Sequence, residues 1–75
     1  MSATLVLSGD LIPEVFCDFI IARAEVLDVE AQVVEATPDR IVVRVRGRSD
    51  LVGALEMACE LAPGTSVVHD VARHD

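Results

Sequence analysis

The amino-acid sequence predicts an α+β fold, a four-stranded antiparallel sheet covered on one face by two helices. Three observations point there. Apolar and polar residues alternate around 29–36 and 40–46, the period of a half-buried strand. Apolar residues recur at spacings of three and four in 15–27 and 51–62, the period of a helix. Breakers fall between these segments, at Gly9-Asp10, Thr37-Pro38-Asp39, Gly47 and Ala62-Pro63-Gly64.

Each element follows in order. Thr4 to Ser8 is β-branched and aliphatic and reads as a strand that Gly9-Asp10 ends. Pro13 suits the first turn of a helix, where its missing N–H costs nothing, and the helix runs to about Leu27 on an apolar stripe that includes Val15, Phe16, Phe19, Ile20, Ala22 and Val26. Glu14 and Asp18 complement its N-terminal dipole. Val29 to Ala36 and Arg40 to Arg46 are two strands joined by the Thr37-Pro38-Asp39 turn, an antiparallel hairpin. Ser49 or Asp50 is the expected N-cap of a second helix, with Leu51, Val52, Leu55, Ala58, Cys59 and Ala62 on its stripe and Pro63-Gly64 as its stop. Val67 to Ala72 is the last strand, and Arg73 to Asp75 a frayed end.

The order strand, helix, strand, strand, helix, strand is that of a split β-α-β pair, the ferredoxin-like βαββαβ plait. Leu5, Leu7, Ile41, Val43 and Val45 are expected to meet the helices, and Thr4, Val6, Val34, Val42, Arg44 and Arg46 to lie on the open face. A chain of 75 residues leaves room for one domain, 1–75, whose 52% apolar content is largely branched aliphatic.

Charge narrows the partners. The chain has six arginines, no lysine and a net charge of −7, which repels phosphate backbones and anionic membranes. No apolar run approaches the roughly 18 residues that span a bilayer, and no signal peptide is evident. The expectation is a cytoplasmic protein with neither nucleic acid nor membrane as its partner. Two cysteines, Cys17 and Cys59, make no disulfide framework and read as small buried hydrophobes.

One local pattern resembles a known family. Ser8-Gly9 closing the first strand, then Val15-Phe16-Cys17-Asp18-Phe19 opening the first helix, is similar to the acylphosphatase segment, roughly S-G-x-V-Q-G-V-x-F-R-x-F. Further likenesses follow in order: Ala24-Glu25 with Leu27, Pro38-Asp39-Arg40 at the hairpin turn, Gly47, Val52 with Ala54-Leu55, and Pro63-Gly64 with Val68 and Val71. The resemblance implies the same plait. It also implies a phosphate site made of loop N–H groups and the arginine after the Phe, with an asparagine on the second strand positioning water. A guanidinium fork matches a phosphoryl group, and a concave row of N–H donors adds to it.

This chain departs from that apparatus at each point of contact. The positions equivalent to the family site are Gly9, Pro13, Glu14, Phe16, Cys17 and Glu35. Cys17 stands for the arginine, Pro13 for a loop glycine, and Glu14 puts a negative charge where an anion docks. The asparagine position falls on Glu35 or, shifted by one, Ala36, and the chain has no asparagine. Losing one such donor costs about 3–4 kcal/mol of catalysis, and a carboxylate beside the phosphate adds repulsion.

Other site readings weigh less. Cys17, Cys59, His69 and His74 lack zinc-site spacing, so no metal or cofactor is expected. A helix N-terminus favours a thiolate at Cys17, but Glu14 and Asp18 oppose it. Glu14, Asp18, Glu25 and Glu30 read as a solvated face. Arg44, Arg46 and Arg48 are candidate partner-binding residues, for an acidic protein or for a homodimer through the open sheet face. The expected function is an acylphosphatase-like interaction or accessory module without acylphosphatase activity. The alternatives are a hydrolase of that class with an altered site, and a small-molecule-sensing regulatory domain working as a dimer. The latter is suggested by Gly9-Asp10 and Pro13 in the first loop.

Overall fold

The computed structural model describes residues 1–61 and 66–74. Elements run β1 (Ser2–Asp10), α1 (Pro13–Leu27), β2 (Glu30–Ala36), β3 (Arg40–Arg46), α2 (Ser49–Glu60) and β4 (Val67–His74). The four strands form one antiparallel sheet in the order β2-β3-β1-β4, the predicted plait.

Alternation along β1 and β3 builds the core. Leu5, Leu7, Ile41, Val43 and Val45 are buried against Phe16, Ile20 and Ala24 of α1 and Val52, Leu55 and Cys59 of α2. The buried arc of α1 is narrower than its apolar stripe. Val15 is 46% and Val26 77% exposed, because a single sheet lies under the helix and only one side of it is covered.

Several boundaries differ from expectation. β1 does not end before Gly9. It spans Ser2–Asp10, with a register shift between Ser8 and Gly9 that keeps Gly9 opposite Val68 and Asp10 opposite Val67. Gly9 takes φ 156, so the glycine kinks the strand rather than ending it. β4 continues through Arg73 and His74, which pair with Leu5 and Thr4; ladder bonds override their polarity. β2 starts at Glu30 and shifts register between Val33 and Glu35, a bulge around Val34 that breaks its alternation. The residue capping α2 is Arg48, in extended conformation and without a side-chain cap bond, so neither Ser49 nor Asp50 is the cap. The predicted stop at Ala62-Pro63-Gly64 and the terminal Asp75 lie outside the described residues.

Candidate functional site

The β1–α1 connection is two residues, Leu11 and Ile12, between the end of β1 and Pro13 at the first turn of α1. Its N–H groups are already engaged. Gly9 N–H donates to the Asp39 carbonyl (3.2 Å) and Leu11 N–H to the Pro38 carbonyl (2.8 Å), which ties the loop to the β2–β3 turn. Ile12 N–H donates to Ser66 Oγ (3.1 Å), and Ser66 is buried. Pro13 has no N–H. Phe16 N–H closes the first helical bond to the Ile12 carbonyl (2.9 Å). The N–H groups of Glu14 and Val15 in the first turn have no side-chain cap, and Glu14 itself, exposed, brings a negative charge to that turn.

Phe16 is fully buried and meets Phe19 edge to face, with ring centroids 6.0 Å apart and planes at 84°. It anchors α1 to the sheet. Arg23 lies 5.7 Å over the Phe19 ring. Cys17, expected to be buried, is half-buried, while Cys59 is fully buried. Burial, and then the Asp18 carboxylate, push the Cys17 thiol above its ordinary value, away from thiolate chemistry. The Cys59 thiol is pushed up to about 12 by burial, with Glu56 and Glu60 adding to it.

The bulge around Val34 puts the two residues proposed for the asparagine position on opposite faces of the sheet. Glu35 is opposite Val42 on the open face, and Ala36 is opposite Ile41 on the helix-facing side. Glu35 is held by Arg40 (3.4 Å), both largely exposed. Its carboxylate is acceptor-only when ionised, unlike the amide the family places on this strand.

The predicted arginine cluster divides. Arg44 and Arg46 project from β3 to the open face and pair in register with Thr4 and Ser2, at the end of β1 remote from Gly9. Arg48 lies at the β3–α2 junction, 3.1 Å from Asp50. Sequence reasoning missed two features. Nothing in the pattern marked Ser66, which precedes β4, as the partner of Ile12. Nor did it mark a groove of about 910 Å³ at the sheet end opposite the loop, with Arg44, Arg46 and His74 in its lining. Leu11, Ile12 and Pro13 of the loop are not in its lining.

These features define a ferredoxin-like βαββαβ plait. Comparison with solved structures agrees on the fold. The chain superposes on an acylphosphatase from Bacillus subtilis with a TM-score of 0.86 at 15% identity, covering 96% of this chain and 80% of that one. It superposes on an acylphosphatase from Coxiella burnetii with a TM-score of 0.87 at 18% identity, covering 97% and 77%. No protein-family model matches the chain, and none of the curated proteins does. Among the described residues, no helix is long and apolar enough to cross a membrane.

Proposed function

We propose that this chain is an acylphosphatase-fold domain that does not hydrolyse acyl phosphates and works as a small interaction module, with Arg44, Arg46 and Arg48 in its partner-binding surface. The observation that carries the reading is the state of the β1–α1 loop. Leu11 and Ile12 spend their N–H groups on Pro38 and Ser66, Pro13 has none, and Glu14 brings a negative charge. An anion at Leu11 or Ile12 would have to displace these bonds, and one at the first turn of α1 would meet the negative charge of Glu14, in either case without a guanidinium at Cys17 to offset the cost. Both thiols are free, which fits a reducing, cytoplasmic setting.

The test is hydrolysis of benzoyl phosphate by the purified chain. The expected rate is that of buffer alone. A rate clearly above buffer that is lost in Glu14→Ala or Cys17→Ala establishes instead a hydrolase with an altered site.

A further inference from the structure

Two arginines on the open face of the sheet, Arg44 and Arg46, have neither an ion pair nor a ring contact among the described residues. Arg40 pairs with Glu35, Arg48 with Asp50 and Arg73 with Glu56, while Arg23 lies over Phe19. Among the described residues no salt bridge engages Arg44 or Arg46. Glu30 stands opposite Arg46 in register but does not reach ion-pair distance. In a chain of net charge −7, two unengaged guanidiniums on one strand form a local cationic site.

Their surroundings complete a pattern. Arg44 lies in a row with Gln32, Thr4 and His74 across the four strands. In the next row toward the loop, Val42, Val6 and Ala72 are apolar and half-buried, and Glu35, opposite Val42 on the outer strand, is held by Arg40. Read along β3, the open face is therefore Arg46, Arg44, Val42, with one side chain every two residues, roughly 6.8 Å apart. An extended peptide laid along the strand repeats its own side chains at the same interval.

We infer that this face binds an extended segment of an acidic protein partner, with carboxylates at two alternate positions and an apolar residue at the next. Arg46 and Arg44 take the carboxylates through their guanidinium forks, and the Val42–Val6–Ala72 row takes the apolar side chain. This rests on the reading of the chain as an interaction module and names the chemistry of what it binds. Only the two guanidiniums favour carboxylates here; the net charge of −7 opposes any longer polyanion, and a nucleic acid most, because its phosphates would extend past the two arginines to face the acids around them.

The test is fluorescence anisotropy of the whole chain with a labelled peptide containing Glu-Ser-Glu-Ser-Leu, against an isomer with adjacent glutamates, Glu-Glu-Ser-Ser-Leu. The alternating peptide is expected to bind saturably and to weaken with salt. The isomer is expected to bind the chain roughly tenfold more weakly, because adjacent side chains of an extended peptide point to opposite sides, and the double variant Arg44→Glu/Arg46→Glu to bind the alternating peptide roughly tenfold more weakly or worse, since like charges then meet. Arg23→Ala, which changes net charge elsewhere, is expected to leave binding unchanged. Circular dichroism melts of each variant separate lost binding from lost folding. The inference is overturned by absence of peptide binding, by equal binding of both peptides or of the double variant, by preferential binding of single-stranded RNA, or by self-association that the double variant abolishes. Benzoyl phosphate hydrolysis on the same preparation keeps the two readings apart. Hydrolysis removes the module reading, whereas failure to bind peptide without hydrolysis removes only this inference.

Discussion

Replacing Gly9 by alanine is expected to cost most of the stability of the domain. Gly9 has φ 156, where an L side chain is strained, and a Cβ placed there runs into the Val67 carbonyl oxygen and comes within 3.0 Å of the His69 nitrogen. Both obstacles are backbone of β4, so no rotamer change relieves them. Strain of this kind costs about 1–3 kcal/mol. Moving β4 aside also weakens the rungs Gly9–Val68 and Asp10–Val67, at about 1 kcal/mol per bond. Together these come to about 3–5 kcal/mol, against roughly 5 kcal/mol available to a domain this small. Urea unfolding followed by far-ultraviolet circular dichroism reads the loss directly. Gly47→Ala is the control, since its Cβ would meet only Val29 Cγ2 at 3.4 Å. If Gly9→Ala unfolds within about 0.5 kcal/mol of the parent, the close approach of β4 is wrong, and with it the account of why a glycine stands there.

Four further outcomes are expected. Gly53→Ala, in the interior of α2 with nothing within 4 Å of the added Cβ, raises stability by about 0.5–1 kcal/mol in the same urea assay. Ser66→Ala leaves the Ile12 N–H without its acceptor and lowers stability by about 1–2 kcal/mol; an unchanged midpoint removes Ser66 as the lock on the loop. The folded Cys59 thiol is raised from 9.0 to about 12, so the unfolded chain gives up its proton first as pH rises. The stability this group contributes is fully present below pH 9 and declines between 9.0 and about 12, with a limiting slope of about 1.4 kcal/mol per pH unit. A Cys59→Ala variant lacking that component of the slope checks it. In native protein Cys17 is expected to react with a thiol reagent before Cys59, and simultaneous reaction of both contradicts the burial difference.

The fold was legible because its core is written in two clean periods. Alternation in 40–46 and in the first strand identified the buried sheet face residue by residue, and the Pro-Asp turn identified the hairpin. What escaped depends on tertiary pairing. Arg73 and His74 look like a polar tail, but both lie in ladder contact with β1. Gly9 looks like a terminator, yet it is a kink whose continuation is held by β4 and by the Asp39 carbonyl. The bulge around Val34 hides in a run of residues whose side chains are compatible with either register. At the candidate site, sequence identified the groups at Pro13, Glu14 and Cys17. It carried no signal for the acceptors that occupy the loop amides, two of them main-chain carbonyls and one the Oγ of Ser66, some 54 residues away from Ile12. Charge composition likewise located the arginines, whereas which of them remain without ion pairs depends on contacts that only the folded chain forms.

The central claim is that the β1–α1 loop keeps its shape while holding no anion. Titration of the isotope-labelled protein with inorganic phosphate, followed at the backbone amides of Leu11, Ile12, Glu14 and Val15, tests it most directly. No saturable shift is expected at these amides, with the Leu11 and Ile12 protons protected from exchange by the Pro38 carbonyl and Ser66 Oγ. Saturable shifts centred on Ile12 to Val15, enhanced when Glu14 is replaced by glutamine, contradict it and restore the loop as an anion site.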